Sequence, residues 1–275
     1  MIEVLLKQID RLMEQRPSST QALGPYRELL NLMREAGPQP QKIVLEDRLA
    51  DLKREEGFPL FSAEELPVDL EASSRLLTQF LDHFSSSGRE DKEGLKKVLG
   101  NLRKDPEWAN GLLKAALKKD TNTLSKIAKE FEIDTLTLLF LARVALRPSL
   151  TDLRSALTVS VDKETWGYAY CPVCGSQPDM AYFSDSGKRY LHCELCGEEW
   201  SYPRLNCPFC QNQDHNTLGY FHAEEEEGFR VDFCRKCMRY IKTVDKRVFE
   251  DAAPMELEYL ATLHLDIQAT QQGFK

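Results

Sequence analysis

The eight cysteines of this 275-residue chain fall into four Cys-x-x-Cys pairs with none left over: Cys171/Cys174, Cys193/Cys196, Cys207/Cys210 and Cys234/Cys237. The first 170 residues hold no cysteine at all. Four thiolates arranged tetrahedrally are what a structural Zn²⁺ or a mononuclear iron requires. Four pairs therefore make two four-cysteine sites, and the expected cofactors are two tetrahedral metal ions, iron of the rubredoxin type or zinc. Eighteen residues separate Cys174 from Cys193 and 23 separate Cys210 from Cys234. The first gap matches the spacing of a zinc-site hairpin and the second is slightly long, which favours pairing the knuckles in sequence. A crossed pairing is also compatible with the spacing. Gly175 and Gly197 follow the second cysteine of their knuckles, where a left-handed turn favours glycine. Gln211 and Met238 stand at the same place in the third and fourth knuckles and depart from that ideal.

In a reducing cytoplasm such pairs read as metal ligands before disulfides. A cytoplasmic location is expected: the N-terminus lacks a basic stretch followed by a small-residue cleavage site, and no apolar run reaches the ~18 residues of a membrane span. Zinc ribbons are often nucleic-acid modules, but the net charge of -8 argues against nucleic acid as a partner. Arg230, Arg235, Lys236, Arg239 and Lys242 are the candidates for a local basic patch.

The cysteine-free part reads as helices. Ile2, Leu5, Leu6, Ile9, Leu12 and Met13 recur at helical spacing, and Pro17 ends the stripe. Tyr26, Leu29, Leu30 and Met33 form a second stripe, closed by Gly37 and Pro38. Residues 38–68 give no clear pattern, although Gly57–Phe61 looks like a loop pinned by apolar anchors. Helical faces follow at Leu76–Phe84, Leu95–Leu102, Trp108–Leu117 and Leu124–Phe131. Asp105 before Pro106 is a start signal. Asp134 can cap a helix that is apolar most of the way round, expected to run to about Leu146 at the centre of a bundle; Arg147-Pro148-Ser149-Leu150 is expected to stop it and to start a next helix with Leu153 and Leu157. Val159–Val161 and Trp166–Tyr170 favour strands. Helical periodicity returns at Pro254 in a single last helix carrying Leu257, Leu260, Ala261, His264 and Ile267. The fold class expected is α plus small β: a helical domain at 1–160, metal domains at 161–203 and 204–252, and a C-terminal helix at 253–275 packing on the body.

His192 and His215 lie beside knuckles, but four cysteines per site leave them supporting or surface roles. His264 is expected to pack in the core, and His222 and His83 show no constellation. Glu224–Glu227 is expected to tip a solvated hairpin. Trp200, Tyr202, Tyr220 and Phe221 are expected to pack the small cores. No Ser-His-Asp order, glycine-rich phosphate loop or His-Glu-x-x-His stands out, so no catalytic residue is assigned and the chain is not read as an enzyme.

The knuckles and their surroundings resemble the formate dehydrogenase accessory protein FdhE family. The residues that carry the resemblance are Cys171-Pro-Val-Cys-Gly-Ser-Gln-Pro178, Leu191-His-Cys-Glu-Leu-Cys-Gly-Glu-Glu-Trp200, Arg204-Leu-Asn-Cys-Pro-Phe-Cys210 and Cys234-Arg-Lys-Cys-Met-Arg-Tyr-Ile-Lys242. Leu60–Leu70, Leu146–Leu150 and Tyr259–Asp266 extend it over most of the chain from about residue 58. The resemblance implies a helical domain plus two rubredoxin-like domains, with all eight cysteines as iron ligands and as elements that matter for partner binding. It implies a cytoplasmic helper that binds the catalytic subunit of a respiratory formate dehydrogenase before export by the twin-arginine route. The alternatives are a rubredoxin-like electron-transfer protein acting on the dehydrogenase cofactor and a zinc-ribbon nucleic-acid module.

Overall fold

The structure, a computed structural model, describes residues 2–36, 46–86, 90–157, 164–222 and 226–275. Its helices are α1 (Ile2–Gln15), α2 (Thr20–Ala36), α3 (Asp47–Glu55), α4 (Leu70–Ser85), α5 (Lys92–Lys104), α6 (Pro106–Lys118), α7 (Thr121–Phe131), α8 (Thr135–Ala156), α9 (Met255–Ala261) and α10 (Leu263–Gln271). Its strands are β1 (Pro178–Phe183), β2 (Arg189–Cys193), β3 (Glu199–Ser201), β4 (Leu218–His222), β5 (Phe229–Cys234) and β6 (Arg239–Asp245). A helical part precedes a sheet-bearing part with the knuckles, as the sequence leads one to expect. Two compact units emerge from the contacts: Met1–Arg27 with Glu46–Leu60 and Val159–Lys275, and Glu28–Leu45 with Phe61–Thr158.

In the helical unit, carboxylates set the starts. Asp69, Asp105, Asp120 and Asp134 each accept a hydrogen bond from the backbone N–H three residues on, at 2.7–3.1 Å. Such a cap stabilises a helix by about 1 kcal/mol. Helices α6 and α7 end on residues in the left-handed conformation, Lys119 and Glu132. Helix α8 packs against α4, α6 and α7 and buries Leu138, Leu141, Leu146, Leu150 and Leu153. It does not stop at Pro148, as the sequence suggests, but continues to Ala156. Proline removes one hydrogen bond of the ladder. The burial of Leu150 and Leu153 beyond it, at roughly 1.5–3 kcal/mol each, offsets that loss.

In the other unit the six strands form one sheet in the order β3-β2-β1-β6-β5-β4. Each half is an antiparallel three-stranded meander, and the halves join through a parallel pairing of β1 with β6. Segments 161–203 and 204–252, expected as separate small domains, thus share a sheet. Side chains alternate across it. Met180, Tyr182, Phe229, Val231 and Val244 face α9 and α10, where they meet Met255, Leu265, Ala269 and Phe274.

The first 27 residues group with this sheet rather than with the helical bundle. The reason is electrostatic as well as apolar. Helix α1 packs on α9. Gln8 and Arg11 bind Asp251, and Arg16 Nη2 lies 2.6 Å from Glu258 Oε2. The Gly57–Leu60 loop is likewise held to the first knuckle, since Leu60 N donates to Pro172 O at 2.9 Å and Tyr170 Oη to Gly57 O. Leu60 and Phe61 are buried anchors, but Phe58 is exposed.

Three sequence expectations need correction here. Trp166–Tyr170 is not a strand; Trp166 Nε1 donates to Tyr170 O at 2.7 Å, and the three aromatic rings pack on one another in a turn. The last helix is two helices broken at Thr262. Thr262 Oγ1 donates to Glu258 O, and the Lys242 ammonium donates to Tyr259 O at 2.8 Å and Thr262 O at 3.4 Å. The break turns His264 and Ile267 outward, so His264 is half-buried against Glu226 at 2.9 Å rather than packed in the core. The strand expected at Val159–Val161 and the stop signals Gly37 and Pro38 lie outside the described residues.

Burial raises the carboxyl of Glu258 above its usual range, and Arg16 only partly opposes this. An acid whose folded value is raised contributes stability that is present below its unfolded value, near 4.5, and is lost as pH rises through the folded value. Glu258→Gln fixes the neutral form, so its thermal midpoint relative to the parent should rise between pH 4.5 and 7.5. Calorimetry at both pH values checks this; a constant or shrinking gap contradicts it.

Candidate metal centres

All four knuckles close in the same way. The backbone N–H four residues after the first cysteine returns to that cysteine's carbonyl: Gly175 to Cys171 at 2.9 Å, Gly197 to Cys193 at 3.2 Å, Gln211 to Cys207 at 2.9 Å and Met238 to Cys234 at 2.8 Å. The returning residues share a left-handed backbone, with φ of 72° and 71° at the glycines and 57° and 58° at Gln211 and Met238. The two non-glycine positions therefore adopt the glycine geometry at a local cost, about 1–2 kcal/mol each. Backbone amides also turn toward sulfur, as Val173 N does to Cys171 Sγ and Leu195 N to Cys193 Sγ, both at 3.4 Å.

The knuckles come together in sequence order. Cys171, Cys174, Cys193 and Cys196 form one cluster, and Cys207, Cys210, Cys234 and Cys237 the other, each with its sulfurs within 4.8 Å of one another. Across the first, Cys171–Cys196 and Cys174–Cys193 are 3.5 and 3.4 Å apart. Across the second, Cys207–Cys237 and Cys210–Cys234 are both 3.7 Å apart. A tetrahedron of sulfurs about 2.3 Å from a central ion has edges of about 3.8 Å, so both clusters fit one ion apiece. The first is buried throughout, whereas Cys210 and Cys237 are partly open to solvent.

Electrostatics favour a cation. Burial pushes the Cys171 and Cys193 thiols well up, while Cys174 is drawn well down by the side chains of Cys171, Cys193 and Cys196. In the second cluster burial raises Cys207 to about 12. Burial also works against the Cys234 thiolate, but the backbone N–H groups of Cys237 and Lys236 help bring it to about 7. Burial thus opposes ionisation of Cys171, Cys193 and Cys207, and a divalent ion supplies the charge that four thiolates require.

Sequence reading did not single out Asn212. Its carbonyl accepts the Cys207 N–H at 2.9 Å, and its Nδ2 lies 3.6 Å from Cys234 Sγ and 2.7 Å from Thr217 Oγ1. The only signal was its position five residues after the first cysteine, matched by Ser176 and Glu198 in the first two knuckles. The histidines stay outside the clusters among the described residues. His192 is buried with Nδ1 2.7 Å from Asp179, and His215 is exposed. His222 Nδ1 lies 3.2 Å from Phe229 O, and His83 meets Glu28 at 3.0 Å. Trp200 and Tyr202 are buried as expected, but Tyr220 is 56% exposed. Of the basic residues considered for a patch, Lys242 is 2% exposed and bound to Asp266 at 2.7 Å, so it is no surface contact. Glu224 and Glu225 lie outside the described residues.

Fold and clusters together define a protein with two four-cysteine knuckle centres on a shared sheet, accompanied by a helical unit. Residues 170–204 match the family model described as FdhE, central domain. A "Protein FdhE homolog" of Aquifex aeolicus is 38% identical over 120 residues, covering 42% of this chain and 42% of that protein. One from Shewanella oneidensis is 37% identical over 109 residues, 38% of this chain and 35% of that protein. The matched stretches thus span about two fifths or less of the length of these curated relatives. The crystal structure of the FdhE protein from Pseudomonas aeruginosa superposes with a TM-score of 0.69 over 100% of this chain and 94% of that one, at 23% identity, a likeness of fold. The chain resembles FdhE, as its motifs indicated.

Because Gln211 and Met238 occupy left-handed positions, Gln211→Gly and Met238→Gly should each stabilise the metal-loaded protein by about 0.5 kcal/mol after the added freedom of the unfolded chain is counted. Gly175→Ala should destabilise it, since the new Cβ would also lie 3.2 Å from Pro59 Cγ. Denaturant unfolding of the three variants measures both signs.

Proposed function

We propose that this protein is a cytoplasmic accessory factor for assembly of a respiratory formate dehydrogenase, that it binds the catalytic subunit before export, and that it carries out no turnover of its own. The observation that carries the reading is the pair of four-sulfur clusters, the first of them set in residues 170–204, which match the FdhE central domain. In this reading Cys171, Cys174, Cys193 and Cys196 ligate one ion and Cys207, Cys210, Cys234 and Cys237 a second, rubredoxin-type iron or zinc. Each metal segment, 161–203 and 204–252, is a module organised by its own ion. Fully ligated sulfur sites keep no open position for substrate, which suits a binding role better than a catalytic one.

The test is anaerobic purification of tagged protein from a host that makes the dehydrogenase. Two metal ions per chain and a co-purifying formate dehydrogenase catalytic subunit are expected. Recovery of no such subunit overturns the assembly role. One ion after Cys171→Ser with Cys174→Ser is expected, and retention of two overturns the ligand assignment.

A second reading, one-electron transfer to the dehydrogenase cofactor, draws support from the partly open sulfurs Cys210 and Cys237, because an exposed edge admits electrons. Visible absorption that bleaches reversibly with a reductant is expected in that case, and a colourless zinc-loaded protein excludes it.

A further inference from the structure

A cavity of about 570 Å³ opens beside the second cluster, on the sheet face turned away from α9 and α10. Alternation puts Arg230 and Asp232 of β5, Arg239 and Ile241 of β6 and Arg189 of β2 on that face, and the segment from Arg204 to Phe209 walls it. Four guanidiniums thus line it against one carboxylate, in a chain whose net charge is -8. That carboxylate is already engaged, by Arg230 Nη2 at 2.8 Å and by Thr243 Oγ1 at 2.6 Å.

Arg189 is the telling residue. It is 4% exposed, and its Nη1 reaches only two backbone carbonyls, Asn206 O at 3.1 Å and Pro203 O at 3.5 Å. Among the described residues its Nε has no hydrogen-bond partner, and neither has the Nε of Arg230. Burying a cation with so little compensation is costly. Arg204 has no carboxylate partner among the described residues and stacks on Phe183 at 4.4 Å, beside Arg230 at 4.6 Å on the same ring. Two like charges are therefore held over one aromatic ring. A bound dianion would offset the excess of positive charge and relieve that repulsion, and guanidinium forks suit phosphate geometry. A single carboxylate would leave most of the excess charge in place. Phe209, Tyr220, Leu205 and Leu218 supply an apolar wall beside the arginines. The volume suits a small organic ligand.

We infer that this cavity is a binding site for a small phosphate-bearing molecule with a ring, its phosphate groups held by Arg189, Arg204, Arg230 and Arg239 and its ring set against the apolar wall. The cavity adjoins the second cluster, for Cys207 and Cys234 also line it, and the arginines rather than the sulfurs are its binding groups.

The experiment uses the full metal-loaded chain, titrated calorimetrically with ADP, inorganic pyrophosphate and a hexaglutamate peptide, with the metal content read before and after. ADP is expected to bind one to one with no loss of metal, at least fivefold tighter than pyrophosphate, and to weaken as salt is raised. Arg204→Gln and Arg230→Gln, at partly solvent-facing positions, should each weaken ADP at least tenfold with circular dichroism and metal content unchanged. Should a variant unfold, competition of ADP by excess inorganic phosphate in the parent protein stands in as the readout, with displacement expected. Equal affinity for pyrophosphate and ADP overturns the role of the wall. Binding of hexaglutamate alone, binding that strips the metal, binding unaffected by either folded variant or by competing phosphate, or no binding overturns the site.

Discussion

Eight sulfur atoms gathered into two tetrahedra are the constraint on which the sheet-bearing part depends. Its strands are short, only three residues in β3, and a three-stranded meander buries too little surface to stand on packing alone. The clusters compensate by joining chain that lies far apart in sequence: Cys171 meets Cys196, and Cys207 meets Cys237. They act at strand ends, since Cys193 closes β2 and Cys234 closes β5. An ion bound by such sulfurs contributes its binding free energy directly to folding. The two halves follow one plan, a knuckle, two strands, a second knuckle and a third strand, although glycine completes the turns only in the first half.

Behind the sheet, buried charge fixes how the C-terminal helices lie. Lys242 projects from β6 into the break between α9 and α10, where Asp266 and two carbonyls receive it. Burial lowers the affinity of that ammonium for its proton, and Asp266 restores part of it. Tyr240 Oη binds the other oxygen of the same carboxylate at 2.7 Å. Removing either partner of such a pair strands the other in a poorly solvated place, which ties the helix break to one position on the strand.

What was legible in the sequence was what short-range chemistry decides. Cys-x-x-Cys spacing is local, and so are the caps at Asp105 and Asp134; both features came through in the structure. What was not legible depended on partners distant in the chain. Pro148 reads as a boundary between two helices until Leu150 and Leu153 are seen to be buried on one continuous helix through it. The periodicity of the tail reads as one helix because the lysine that breaks it sits 20 residues earlier than Thr262. Helix α1 reads as part of the bundle because its ties, Arg11 to Asp251 and Arg16 to Glu258, span 240 and 242 positions. Arg189 and Arg204 escaped notice for the same reason: each is an isolated arginine in sequence, and only the sheet brings them beside Arg230 and Arg239.

The parallel seam between β1 and β6 carries a mechanical corollary. Met180 to Phe183 run alongside Lys242 to Asp245, so the opening strand of one meander is also a neighbour of the closing strand of the other. Neither can fray from its inner edge without tearing a ladder that belongs to both. The free edges, β3 and β4, lie at opposite extremes. Unzipping must begin there and travel inward, and the seam is the last rung to give way.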